Sequence, residues 1–296
     1  MSPQEFLVDL ANPDLAFLPK ALAISVMAAV VCGVVGCHVV LRGMAFIGDA
    51  VSHAVFPGVA VAFVLQGSLV VGGAVAGVIT AVLVAVFSQE RRVREDAVIG
   101  VFFVAAFALG IVIISRAPGY AGSLQQFLFG SITGIPDEDV ARVALGSVGL
   151  LAVMAVLHRG FVAVALDREM ARAMGLRVFA LDLALYVAVT VAVVISLQTI
   201  GNILVLALLV TPAAAARMLT DRLGVMMLLA PLLGGMGAFV GIYLSWSHDL
   251  PVGGTIVLVV TAEFLACWFL APRHGVVVRR LRATTARPDD GPSPLR

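Results

Sequence analysis

The strongest constraint on this chain is a succession of apolar stretches, each near twenty residues long, set off from one another by short polar connections. Twenty helical residues rise about 30 Å, the thickness of the hydrocarbon core of a bilayer, and only helices or closed barrels satisfy their backbone there. The stretches cover residues 18–41, 48–66, 69–88, 97–115, 140–158, 179–197, 200–217, 223–245 and 252–271. This makes about nine spans, with eight to ten admitted, because the seventh, GNILVLALLVTPAAAAR, is short and broken by Pro212. With 61% hydrophobic residues, 12% charged residues and a mean hydropathy of +1.09, a soluble domain of ordinary composition is excluded. The expected fold class is an all-α polytopic membrane protein.

Residues 1–17 read as a lead-in on the extracytoplasmic side, since MSPQEFLVDLANPDLAF has acids where a cleavable signal would be basic. Residues 18–272 form the transmembrane domain. Residues 273–296 form a cytoplasmic tail whose Pro, Asp and Arg content predicts disorder. Arginine concentrates in SQERRVRED, HRGFVAVALDREMARAMGLRV, RMLTDRL and the tail, while QGS, SLQTIG and SHDLPVGG have none. The positive-inside rule therefore places the N-terminus outside and the C-terminus in the cytoplasm. A formal net charge of +1 gives no ground for a nucleic-acid partner. Cys32, Cys37 and Cys267 form neither a CxxC site nor a disulfide framework and read as buried small hydrophobes. Gly73 with Gly77, and Gly237 with Gly241, are GxxxG pairs that allow close helix contact within a bundle or between subunits.

The second stretch, GDAVSHAVFPGVAVAFVLQ, carries an acid and an imidazole where lipid would tolerate neither. Asp49 and His53 are four residues apart, so a helix puts them on nearly one face, about 6 Å apart along its axis. That spacing suits a metal ligand pair or a proton relay, with the carboxylate and imidazole fitting zinc, manganese or ferrous iron. Two ligands make no closed site, which is what a transported ion requires. Pro57 and Gly58 are expected to bend this helix and expose backbone carbonyls. In the competing reading, Asp49 caps the helix and His53 packs inside the bundle. The topology puts the pair near the cytoplasmic start of the span, so either the span begins deeper or the pair is an inner gate.

Other candidates are Asn202 and Thr211, which border the broken seventh span, and His248 and Asp249, which form a receiving site or a plain turn before Pro251. Glu263, midway along the ninth span, must be paired, protonated or facing water. Asp182 is expected to meet an arginine. His38, His158 and His274 read as interfacial residues near span ends. Glu95 and Asp96 suit a helix N-terminus.

Five segments, LRGMAFIGDAVSHAVFPGVA, REDAVIGVFFVAAFALG, LDREMARAMGL, IGNILVLALLVTPAAAAR and SHDLPVGGTIVLV, occur in the order and spacing of the permeases of metal-type ABC importers. From about Leu18 to Pro272 the chain resembles this ABC-3 family of zinc, manganese and iron permeases. The resemblance implies a type II ABC importer-like permease fold in the bacterial cytoplasmic membrane. It also implies a homodimer, a cytoplasmic ATPase dimer that uses ATP, and an extracytoplasmic metal-binding solute-binding protein. Within DREMARAMG, Asp167 can cap a short helix in which Glu169, Ala171 and Gly175 resemble the ATPase-coupling motif, and small Ala171 and Ala173 would let that helix sit in a groove. The residues agree with a division of labour: no GxxxxGK[ST] loop occurs and Lys20 is the only lysine, so ATP hydrolysis belongs to another chain. The alternative is a secondary proton-coupled metal transporter relaying protons through Asp49 and Glu263. A metal hydrolase is disfavoured, since no HExxH occurs and Ser52 beside His53 is no dyad.

Overall fold

The structure, a computed structural model, describes residues 1–44, 46–89, 95–115, 136–200 and 202–271. Among these residues the regular elements are helices. They are α1 (Pro3–Leu10), α2 (Phe17–Leu41), α3 (Ile47–Ala54), α4 (Phe56–Val64), α5 (Leu69–Phe87) and α6 (Glu95–Ile114). There follow α7 (Asp137–Leu166), α8 (Arg168–Ala173), α9 (Val178–Ile200), α10 (Asn202–Leu219), α11 (Leu223–His248) and α12 (Val252–Leu270). Eight membrane-length apolar spans are present among the described residues, α3 and α4 together making one of them. The apolar part of α10, Leu204–Leu219, falls short of that length. It is the seventh stretch of the sequence, with Pro212 inside the helix.

The bundle is built around α2, whose buried face runs from Leu18 to Val39. Against it pack α7, α9, α10 and α11. Residues of α3, α4 and α9 complete one continuous apolar core. At Gly36 a Cβ would run into the backbone carbonyl of Leu209, so α2 and α10 touch backbone to backbone. Gly36→Leu is therefore expected to cost at least about 1–3 kcal/mol of overpacking. Thermal melting and size-exclusion profiles of the detergent-purified protein check this, and a wild-type melting curve would contradict it.

The two GxxxG pairs pack inside this bundle. Gly73 and Gly77 meet Val55, Val59 and Thr190, and Gly237 and Gly241 meet Val260 and Ile256. The three cysteines are free, and Cys32 and Cys37 are buried.

At one end of the bundle α1 folds back over the mouths of α2 and α11. Its first turn closes with a capping box between Ser2 and Glu5. Buried Phe6 meets Phe239 and Tyr243 edge-on, and the Trp246 indole donates to Asp9 at 2.9 Å. Lys20 pairs with Asp137 at 2.7 Å at this same end. The lead-in is thus a packed element. The opposite end carries α8. The helix α7 runs on through FVAVAL to Leu166, eight residues past the expected stop at His158, because nothing in that apolar run interrupts it. The expected tail, residues 273–296, lies outside the described residues, as does His274.

Candidate metal centre

The second span breaks where the sequence places its proline. Pro57 has no N–H to offer the His53 carbonyl four residues back, and that missing bond divides the span into α3 and α4 at Val55, whose own backbone stays in the right-handed helical region at φ −69° and ψ −27°. Gly58 lies so close to the backbone of Gly72 on α5 that neither position has room for a Cβ. This leaves α3 as a short helix of 8 residues carrying Asp49 and His53. On its other side Gly48 lets α3 lie directly on Leu206 and Leu209 of α10. Ser52 turns away from His53 and donates to the Gly48 carbonyl at 2.7 Å, which accounts for its hydroxyl without chemistry.

Asp49 does not cap α3: the N-cap is Phe46, and no side chain caps this terminus. Its carboxylate instead meets the imidazole, with Oδ1 and Nε2 3.4 Å apart. This exceeds a charge-assisted hydrogen bond of about 2.7–2.9 Å. It is close to the separation of about 3.4 Å that a tetrahedral zinc ion sets between two donors each held at about 2.1 Å, and leaves both donors within reach of one ion. The His53 ring is clamped between Phe103 at 5.1 Å and Phe107 at 4.8 Å, both on α6. Its Nδ1 is buried and has no hydrogen-bond partner among the described residues. Asp49 is the wetter of the two and lines an open groove of about 790 Å³ between α3 and α6, whose mouth holds Phe46 and Val101.

Among the described residues no third His, Cys, Asp or Glu joins this pair. His248 and Asp249 lie at the α1 end, whereas the pair lies beyond the middle of α2, since Gly48 beside Asp49 meets the same Leu209 as Gly36 of α2. Asp249 takes the left-handed conformation that ends α11, with φ 53°, and Ser245 donates to the Leu250 carbonyl at 2.6 Å, so the turn before Pro251 is explained locally. Glu263 faces Gly237 on α11, and its Oε2 is buried without a partner among the described residues. It is not grouped with Asp49. Thr211 is half-buried next to Pro212 on α10, and the side chain of Asn202, at the start of that helix, lies outside the described residues, as do those of Glu95 and Asp96.

One expectation is overturned at His38. It is only 1% exposed, packed edge-on to the half-buried His158 at 5.5 Å and against Phe161 at 5.4 Å, so it does not snorkel to a surface. The cause is the added length of α7, which puts His158 inside a helix rather than at its end. The aromatic clamp around His53 was not foreseen either. Its signal was available in the i, i+4 spacing of Phe103 and Phe107.

The loop after α7 has the local form expected of it. Asp167 accepts from the Glu169 and Met170 N–H groups at 2.8 and 3.0 Å, starting α8, and Gly175 ends it at φ 79°. Ala171, however, points inward onto Val164 and Val178 and anchors α8 to its own bundle. The exposed residues of α8 are Glu169, Met170, Arg172 and Ala173, followed by the exposed C-cap Met174. Asp182, on α9, meets two arginines: Arg42 at 2.7 Å and Arg168 at 2.5 Å.

Residues 14–271 match the ABC 3 transport family. The chain belongs to that family. Among its relatives, the manganese transport system membrane protein MntC of Halalkalibacterium halodurans is 40% identical over 274 residues, covering 92% of this chain and 93% of the relative. The chelated iron transport system membrane protein YfeC of Yersinia pestis is 35% identical, covering 92% of each chain. A solved structure, PsaBC from Streptococcus pneumoniae in complex with Fab, superposes with a TM-score of 0.83 at 31% identity, over 96% of this chain and all of that one. As an ABC 3 member the chain is a multi-pass membrane permease with the fold of ABC importers.

Proposed function

We propose that this ABC 3 permease carries a divalent transition metal, manganese or ferrous iron foremost and zinc by ligand chemistry, across the cytoplasmic membrane into the cell. The observation that carries the reading is the Asp49–His53 pair, set at a metal's bite distance beside an open groove. The names of its relatives, manganese and iron transport proteins, support it. Two ligands hold an ion too loosely to trap it, which suits conduction. A second copy of the chain, meeting the first across the exposed Val101 and Val104 of α6, would bring a second pair to the same path.

Energy comes from a separate cytoplasmic ATPase docked on α8, and the metal arrives from an extracytoplasmic binding protein at the α1 end. The distribution of charge supports this orientation. Arg42, Arg168, Arg172, Arg177, Arg217 and Arg222 all sit at the α8 end, whereas Arg142 at the α1 end is neutralised by Glu138 and Asp139.

Reconstitution tests the reading. Liposomes holding this chain alone should neither hydrolyse ATP nor accumulate manganese, and liposomes holding it with its ATPase and binding protein should do both. Manganese uptake by the chain alone, driven by a proton gradient, would replace this reading with a secondary transporter.

A further inference from the structure

A nearly buried carboxylate shared by two arginines joins three parts of the chain that are distant in sequence. Asp182 projects from the second turn of α9, and its side chain is 7% exposed. One oxygen accepts from Arg42 and the other from Arg168. Arg168 is the first residue of α8. Arg42 is the C-cap of α2, seven residues before Asp49, and its side chain is 5% exposed, with the guanidinium 5.9 Å over the Phe161 ring. Beyond Arg42 the chain turns at Gly43, φ 70°, and Met44 is buried before α3 begins.

Buried ion pairs contribute little net stability compared with apolar packing of similar volume, because desolvating the charges offsets their attraction. They do fix geometry: two charge-assisted hydrogen bonds, one to each oxygen of a single carboxylate, hold their donors at set directions, where apolar side chains slide. Here the fixed arrangement ties α8, a short and largely exposed helix, to the segment that leads into the metal pair. The remaining attachment of α8 is the small apolar cluster of Ala171, Val164 and Val178.

We propose that Arg42, Asp182 and Arg168 form a rigid link that carries displacement of α8 to α3, so that ATPase motion opens and closes the groove at Asp49. The link rests on the reading of α8 as the ATPase dock. A push on α8 moves Arg168, Asp182 moves with it, and Arg42 transmits the shift to the turn that sets the start of α3. The helix α9 also packs directly on α3, which gives the motion a second bearing surface.

Arg42 is the informative position, because its buried side chain lies away from the exposed face of α8 and its loss leaves Asp182 paired with Arg168. In the reconstituted complex with ATPase and binding protein, Arg42→Gln should lower the manganese transported per ATP hydrolysed by about fivefold or more while ATPase still co-purifies. Arg42→Lys, which can still donate to Asp182, should restore most of it. A reporter gives the conformational readout: Phe46→Cys at the groove mouth, in a chain with alanine at Cys32, Cys37 and Cys267, labelled by a membrane-impermeant thiol reagent. Its labelling rate should differ between nucleotide-free and vanadate-trapped complexes, and that difference should vanish in Arg42→Gln. Arg168→Gln, half-exposed and milder, should give the same loss of coupling and covers the case in which Arg42→Gln does not fold. Wild-type manganese per ATP in whichever of the two variants folds, with ATPase bound, would overturn the link while leaving the dock intact. Full transport by Met174→Asp would instead remove the dock, and the link with it.

Discussion

Asp49→Asn and His53→Ala are each expected to abolish manganese uptake by the assembled transporter without reducing its amount in the membrane. The asparagine keeps size and shape and removes the charge that attracts a divalent cation, and the alanine removes the nitrogen donor 3.4 Å away. The loss should exceed the roughly 10–100-fold that follows removal of a residue merely supporting a ligand. A helix-starting role predicts the opposite for Asp49→Asn, since asparagine caps as well as aspartate and even full loss of a cap costs about 1 kcal/mol. The structure already weakens that role, because Phe46 occupies the N-cap and Asp49 lies inside the first turn of α3. His53→Ala also opens space between Phe103 and Phe107, so its folding must be measured beside its transport. Asn at 49 with wild-type uptake, measured as radioactive manganese in proteoliposomes, would show that the pair does not handle the ion.

Much of the bundle was legible because a bilayer admits few solutions. Apolar length alone located the spans, and eight residues of error at the end of α7 was the largest miss at a helix terminus. That error had a consequence: a helix taken to stop at His158 sends His38 and His158 to an interface, whereas the continuous helix sets a half-buried His158 against a buried His38. The Asp49–His53 face was legible from helical periodicity, and the break beside it from Pro57. The groove and the pairing of Asp182 with Arg42 were not, since each joins residues remote in sequence, and the spacing of Phe103 and Phe107 did not say that His53 meets both rings. Charge patterning gave Asp182 an arginine partner in principle, but no spacing rule says which of eighteen arginines it meets. The inward turn of Ala171 illustrates the same limit. In a six-residue helix the buried face is chosen by what the helix lies on, here Val164 and Val178, and not by its own pattern.

That inward turn decides how α8 can meet a partner. With Ala171 spent on anchoring, the exposed face presents Met170, 59% exposed, and Met174, 68% exposed, beside the charged Glu169 and Arg172. Two unbranched thioether side chains next to a charge form an adaptable apolar contact of the kind that fills a groove on another protein. Met170→Asp or Met174→Asp should therefore release the ATPase. Burying one such side chain contributes about 1.5–3 kcal/mol, so each change should weaken the complex by roughly 10–150-fold and abolish ATP-driven uptake at limiting ATPase. Glu169→Arg should weaken it through charge reversal. Neither methionine change should lower the melting temperature of the permease, because both side chains are largely exposed. Ala171→Asp is the contrasting case: it places a charge against Val164 and Val178, so it should detach α8 from the bundle and reduce thermal stability as well as coupling. Co-purification of tagged ATPase with each variant separates the two effects. If Met170→Asp and Met174→Asp together retain the ATPase at wild-type yield, the docking surface lies elsewhere, and the exposed methionines of α8 face lipid or water rather than a partner.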